Sequence, residues 1–125
     1  MLTERRAHTT LPVSDPEGAR AFWEGRLGFV PYEENPAAVM YRAGEGSVFA
    51  LTRSTGRATG AHTQIGFTVD DIDAEVRELR ERGVVFEEYD LPGFRTIDGV
   101  AQTGAGRAAW FRDPEGNLVG LIQFA

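Results

Sequence analysis

The sequence predicts an α+β fold built from two copies of one strand–helix–three-strand unit. The alternation of apolar and polar residues at 11–13, typical of a half-buried strand, recurs at 67–69, which is 56 positions later. Both segments are followed by side chains that cap helices, and both helix patterns stop at a glycine, Gly28 and Gly83. Each half would bury one face of its sheet under its helix, and the opposite faces would enclose a shared cleft.

The first half begins with a strand predicted over Ala7–Val13 and a helix predicted over Pro16–Leu27. Asp15 can cap that helix, and Pro16 suits its first position because the missing N–H would be unpaired there anyway. Apolar runs separated by turn residues predict three further strands. These strands cover 29–33, 39–43 and 47–53.

The second half repeats this order after a small, polar connection. Asp70-Asp71 can cap a helix that runs to about Arg82 and ends at Gly83. The long stretch Asp90–Arg107 contains five Gly or Pro residues and is predicted to be a connection, interpreted as a lid over the pocket. The predicted strands of this half cover 64–69, 84–89, 108–112 and 118–124, with a tight turn at 113–117 before the last.

Composition limits the classes of partner. The 125 residues predict one domain spanning 1–125, with a first module at 7–53, a linker at 54–61 and a second module at 62–125. Thirteen basic residues, all Arg, stand against nineteen acidic ones, and this net charge of −6 disfavours nucleic acid. The absence of a long apolar segment or a secretory leader, together with the absence of Cys, predicts a cytoplasmic protein that does not enter a membrane.

Five segments spread over nearly the whole chain carry a family resemblance. They are Leu11-Pro12-Val13-Ser14-Asp15, the helix end from Ala21-Phe22-Trp23 to Leu27-Gly28-Phe29, Phe67-Thr68-Val69-Asp70-Asp71, Phe111-Arg112-Asp113-Pro114-Glu115-Gly116-Asn117 and Gly120-Leu121-Ile122-Gln123. Together they resemble the vicinal oxygen chelate superfamily, which includes glyoxalase I, extradiol dioxygenases, fosfomycin resistance proteins and bleomycin-binding proteins. The resemblance implies paired βαβββ modules that form an open barrel with a central cleft, and often a homodimer.

The resemblance also implies where a metal would be held. Enzymes of the superfamily take His, Glu or Gln ligands from the first and last strands of each module, and these positions fall on His8, Ala50, Gln64 and Gly120. Two of the four have no donor atom and none is a carboxylate, whereas a hard dication needs anionic or several neutral oxygen ligands. We therefore expect no metal and no cofactor, and this argues against a standard glyoxalase or dioxygenase. A substitute site that adds His62 remains an alternative.

Several side chains are candidates for contacting a small-molecule ligand in the cleft. Trp110 and Phe111 alternate, so one ring is predicted to pack under a helix while the indole faces the cleft and stacks on a planar or cationic ligand. His8 and Gln64 would supply hydrogen bonds, and Arg112 could meet an anionic group. The full candidate set is His8, Thr10, Gln64, Phe94, Trp110, Arg112 and Gly120.

The leading prediction is a metal-free protein that binds an apolar or aromatic small molecule, such as a drug or metabolite that it sequesters. Two alternatives stay open. One is a metal-dependent lyase or dioxygenase of the same superfamily with an atypical metal site. The other is an enzyme that uses His8 as a general base without metal, although no second catalytic group is evident and no catalytic residue is assigned.

Overall fold

Two β-sheets, each covered on one side by a helix, make up the fold. The structure is a computed structural model that describes residues 1–125. The helices are α1, Pro16–Arg20, which continues as a π-helical segment over Ala21–Arg26, and α2, Ile72–Glu81. The strands are β1 Thr9–Val13, β2 Pro31–Asn35, β3 Ala38–Arg42, β4 Val48–Arg53, β5 Thr63–Thr68, β6 Asp90–Leu91, β7 Phe94–Ile97, β8 Val100–Gln102, β9 Gly106–Arg112 and β10 Leu118–Phe124.

The two sheets share one topology. The first has the strand order β1-β4-β3-β2, and the second has the order β5-β10-β9-β8-β7-β6. In each sheet the strand before the helix pairs in parallel with the last strand of its half, β1 with β4 and β5 with β10, while the neighbouring strands are antiparallel. The predicted α+β fold of two repeated units is confirmed. No helix has the length and apolar character needed to cross a lipid bilayer.

The helix caps and the terminating glycines predicted from the sequence are present in both halves. Asp15 accepts a hydrogen bond from the Gly18 N–H at 3.2 Å, and Asp71 accepts one from the Ala74 N–H at 3.1 Å, so each carboxylate pairs a free helix N–H. Gly28 and Gly83 follow the helices with φ of +82° and +90°, a conformation that costs other residues energy.

The π-helical segment accounts for a one-residue mismatch between the halves. The capping residues Asp15 and Asp71 are 56 positions apart, whereas Gly28 and Gly83 are 55 apart, so the first helix contains one extra residue. That residue is accommodated by the wider i→i+5 turn over Ala21–Arg26. The helix therefore begins and ends at matching places in the two halves despite the insertion.

The end of α1 lies between the two sheets. Trp23 packs against Phe49 of β4 with a ring-centroid distance of 5.1 Å, and Phe22 packs against Phe111 of β9 at 6.1 Å. Phe29, just after the helix, contacts Phe67 of β5 at 5.9 Å. One continuous apolar core thus joins both halves, and the helix-bearing faces of the sheets are turned toward each other.

The strand predicted at Val84–Tyr89 is wrong, and so is the prediction that Asp90–Arg107 is a connection without strands. Residues 84–89 are extended but form only one isolated bridge, between Phe86 and Phe111, because β8 occupies the rest of that edge of β9. The supposed connection supplies β6, β7 and β8, which are two to four residues long. Turns at Gly93 and Gly99, both with positive φ, join these short strands.

Two arginines link the C-terminal ends of the helices across the molecule. Arg26 donates through Nη1 to the Arg82 carbonyl oxygen at 3.2 Å, and Arg82 donates in return to the Arg26 carbonyl oxygen at 3.5 Å. Each cation therefore lies at the negative end of the other half's helix dipole and satisfies a free carbonyl. The contact is reciprocal, as an approximate two-fold relation between the halves requires.

We expect Arg26→Ala and Arg82→Ala each to lower the free energy of unfolding by about 0.5 kcal/mol, because each removes one cation from a helix C-terminus. Urea denaturation at low and high salt measures this, and the loss should shrink in high salt. Arg77→Ala, on the exposed side of α2, is the matched control. An equal loss in Arg77→Ala would contradict a specific role for the reciprocal contact.

The turn before β10 fastens the second half to the first. One oxygen of Glu115 accepts hydrogen bonds from the backbone N–H and the hydroxyl of Ser14, and the other accepts from the Asp15 N–H, all at 2.9 Å. Burial of this carboxylate raises its pKa, but the three hydrogen bonds to the charged form outweigh burial and hold the pKa below its ordinary value. Glu115 therefore connects the end of one half to the start of the first helix.

This link makes part of the stability depend on pH. A carboxylate whose pKa is lowered by folding stabilises the fold fully above its ordinary pKa, and the contribution disappears as pH falls through the lowered value. We expect Glu115→Gln to be less stable than the parent near pH 7 and to differ less from it near pH 3. Urea denaturation of both proteins at the two pH values checks this. A difference that does not depend on pH would contradict the role of the ionised carboxylate.

Candidate functional site

The sheet faces opposite the helices carry the positions that the family resemblance implies for ligands. In the first sheet, Thr10 of β1 and Met40 of β3 both pair with Ala50 of β4. In the second sheet, Gly66 of β5 and Trp110 of β9 both pair with Gly120 of β10. Ala50 and Gly120 therefore occupy equivalent central places. We call these surfaces the outward faces, because the helix-bearing faces are turned toward each other.

Trp110 dominates the outward face of the second sheet. The indole is half-buried, and its Nε1 donates to the Thr63 hydroxyl at 3.1 Å. Two other rings hold it: Tyr89 meets it edge-on with centroids 5.9 Å apart, and Phe94 of β7 lies 5.3 Å away. These three residues, named the aromatic triad below, present a rigid apolar surface with one partly exposed indole.

The indole also explains why position 120 is a glycine. A Cβ built on Gly120 would lie 3.2 Å from Trp110 Nε1 and 3.0 Å from Thr63 Cγ2, which is closer than side chains normally approach. A larger residue there would have to displace the ring. The aromatic triad and a donor side chain at position 120 therefore exclude each other.

The donor set does not fit a divalent metal. Gly120 and the buried Ala50 offer no donor atom, and the fold brings together no group of three or more His, Cys, Asp or Glu side chains that could hold an ion. A hard dication requires several oxygen or nitrogen ligands around one point.

Gln64 is half-buried, and its side-chain oxygen is buried without a hydrogen-bond partner. An unpaired buried acceptor costs free energy, so a donor from a ligand or water at that atom would be favourable. The register between β5 and β10 shifts at Leu118/Val119, and this shift places Thr63 beside Trp110. With strict alternation along β5, Gln64 rather than Thr63 would occupy that place.

The remaining candidates occupy different surroundings. Phe94 belongs to the aromatic triad, whereas His8 and Thr10 are exposed at the start of the chain and His62 is exposed before β5. The guanidinium of Arg112 is bound to Glu87 and packs against Gly60, where an added Cβ would clash with it. Arg112 is therefore already paired with an anion in the chain.

The two sheets of a single chain are open and do not close into one barrel. Five cavities of the chain are lined by other residues, and none of these five includes His8, Gln64 or Trp110. The shared core draws the helix-bearing faces together and leaves the other faces open on the single chain. The cleft predicted between the two halves stays a prediction.

Two residues of this surface were not among the sequence-based candidates. Tyr89 lies in the segment predicted as a strand, and its contact with Trp110 depends on the return of the chain through β7. Thr63 depends on the register shift in β5. Neither has a local sequence signal, since both contacts join residues more than twenty positions apart.

Comparison with known proteins agrees with this architecture. The sequence pattern of the Glyoxalase/Bleomycin resistance protein/Dioxygenase superfamily matches residues 5–121. Virulence protein STM3117 of Salmonella typhimurium is 26% identical over 131 residues, covering 99% of this chain and 87% of that protein. TnmS3, an antibiotic binding protein from Streptomyces sp. CB03234, is 27% identical with a TM-score of 0.74 and covers 100% of this chain and 99% of that one.

A bleomycin-binding protein crystallised with bleomycin has the same fold, with a TM-score of 0.73 at 23% identity and coverage of 97% of this chain and 99% of that one. The match to the superfamily extends over nearly the entire sequence and includes both halves, their helices and the turn before β10. The duplicated topology and the strand order described above are those of the same fold. The chain therefore belongs to the Glyoxalase/Bleomycin resistance protein/Dioxygenase superfamily.

Proposed function

We propose that this protein binds an organic small molecule with an aromatic or apolar surface, without a metal ion, and sequesters it. The observation that carries the proposal is the aromatic triad, whose indole packs directly against Gly120. Position 120 is one that the resemblance to the family's enzymes implies for a metal ligand. A rigid, partly exposed indole is suited to stacking on a planar guest. The unpaired oxygen of Gln64 is available to accept a hydrogen bond from it.

Two proteins of similar structure indicate the class of ligand. TnmS3 is described as an antibiotic binding protein, and another structure of this fold contains bleomycin. We infer that the guest of the present chain belongs to the same broad class of antibiotic-like or metabolite-like organic molecules. The aromatic triad and the unpaired Gln64 oxygen favour a compound that combines a planar ring with an N–H or O–H donor.

We further propose that a homodimer completes the binding site. The outward faces are open in the single chain, and Thr10, Gly66 and Thr68 on them are exposed. A second copy could cover the aromatic triad of one chain with its own first sheet and enclose a guest between them. Light scattering after size-exclusion chromatography gives the mass, and a monomer at micromolar concentration would contradict this arrangement.

The function is tested by titrating purified protein with bleomycin and with a panel of planar aromatic antibiotics. Calorimetry gives affinity and stoichiometry, and quenching of tryptophan fluorescence reports contact with Trp110, because Trp23 is fully buried. We expect saturable binding that chelators do not change and that leaves the ligand chemically intact. Stoichiometric Ni, Zn, Mn or Fe in the protein would overturn the proposal, and so would turnover of the ligand.

A further inference from the structure

An apolar cavity lies where the two halves meet, away from the outward faces. Its volume is about 250 Å³, and its wall joins the turn after α1, the end of β5, one side of α2, and strands β9 and β10. Seven of the nine lining residues are hydrophobic. The lining residues are Leu27, Phe29, Phe67, Thr68, Val69, Glu75, Leu79, Phe111 and Leu121. Trp110 is not among them, so this cavity is separate from the proposed small-molecule site.

The cavity has the dimensions and chemistry of a site for a ring-sized molecule. An apolar cavity of about 150 Å³ suffices for benzene in an engineered protein core, so the present one has room for a ring with a short side chain. Leu27, Phe29, Phe67 and Leu79 remain half-buried although they pack on the core. An occupant would remove their remaining apolar surface from water, which is favourable.

Glu75 is the only charged residue in the wall. It is half-buried on α2, and its carboxylate takes part in none of the ion pairs or side-chain hydrogen bonds of the chain. Arg82, the residue that follows α2, does not line the cavity and is engaged with Glu78 and with the Arg26 carbonyl oxygen. The cavity therefore combines aromatic faces with one unneutralised negative charge.

We infer that this cavity is a second binding site, selective for a small organic cation that carries an aromatic or short aliphatic body. The body would occupy the space among the phenylalanine and leucine side chains. The ammonium group would pair with Glu75 and face the aromatic rings, both of which favour a cation. The net charge of −6 also favours the approach of cations over anions.

The inference is tested with two probes of one shape and opposite charge, phenethylamine and phenylacetate. Methyl NMR spectra of the full-length protein report where each binds, because Leu27, Leu79 and Leu121 line the cavity. We expect phenethylamine to shift these leucine methyl signals in a saturable manner. Phenylacetate should bind about fivefold more weakly or worse, since a partly exposed charge pair is worth about 1 kcal/mol.

Matched variants test whether the Glu75 carboxylate causes the preference for a cation. Glu75→Gln keeps the shape of the side chain. It should weaken the binding of phenethylamine about fivefold and leave the binding of phenylacetate unchanged or make it stronger. Glu81→Gln removes the same charge from the same helix outside the cavity and should have little effect. Equal affinity for the two probes, an equal effect of both substitutions, or shifts confined to methyl groups elsewhere would overturn the inference. Because the readout does not involve Trp110, failure of the proposed antibiotic binding would leave this test intact.

Discussion

Replacing Asp113 by Ala should lower the free energy of unfolding by about 3 kcal/mol, the largest change we expect from a single polar substitution in this chain. The carboxylate is buried and accepts four hydrogen bonds. One comes from Trp23 Nε1 at 3.1 Å, two from the backbone and side chain of Asn117 at 2.8 Å, and one from the Glu115 N–H at 2.9 Å. Removing the acceptor leaves the buried indole N–H and the Asn117 backbone N–H without partners, while the Asn117 side-chain amide keeps only its hydrogen bond to the Pro12 carbonyl oxygen.

Equilibrium unfolding in urea measures this loss as a lower midpoint with an unchanged slope. Asp113→Asn keeps the shape of the side chain and one acceptor oxygen, so its free energy of unfolding should lie between those of the parent and Asp113→Ala. Asp90→Ala is the control for removing an aspartate, because its side chain is 87% exposed and its only ion pair, with Arg95, is 4.0 Å long. If Asp113→Ala were as stable as Asp90→Ala, the buried hydrogen bonds would not contribute as argued.

The second large effect concerns ligand binding at the aromatic triad. Trp110→Ala should weaken the binding of bleomycin, or of the antibiotic that binds best in the panel, by about thirtyfold, which corresponds to about 2 kcal/mol. The substitution removes the stacking surface and the ring that Tyr89 and Phe94 pack against. Calorimetric titration measures the affinity.

Trp110→Phe is the matched comparison, because it keeps an aromatic face but loses the hydrogen bond to Thr63. It should retain most of the affinity while abolishing the ligand-induced change in tryptophan fluorescence. Melting curves and light scattering of both variants separate a lost contact from a lost fold or a lost dimer. Parental affinity in Trp110→Ala would exclude the indole from the binding surface.

Local signals in the sequence account for the helix ends and the longer strands. Asp15 and Asp71 cap helices because a carboxylate one residue before a helix can pair its free N–H groups, and this needs no distant partner. Gly28 and Gly83 end the helices for an equally local reason. The alternation in the strands indicates which side chains face the core, as Leu11 and Val13 do.

The features that the sequence did not predict depend on distant parts of the chain. Strands β6 to β8 are too short to show a period. They form because β8 pairs with the edge of β9, β7 pairs with β8, and β6 pairs with β7. The register shift beside Leu118 changes which residue of β5 meets Trp110, and alternation cannot anticipate such a shift. The insertion of α1 between the sheets depends on packing among Phe22, Trp23 and the second half.

The pairing of equivalent positions in the two sheets has a consequence for how their outward faces differ. Met40 in one half stands where Trp110 stands in the other, and both lie beside a small residue, Ala50 or Gly120. Both halves contribute to one core. Outside that core, the second half carries a flat ring at this position and the first half carries a flexible thioether. In the dimer that we propose, a guest between two copies would meet a stiff aromatic wall on one side and a flexible thioether on the other, which suits molecules with a single planar face better than symmetric ones.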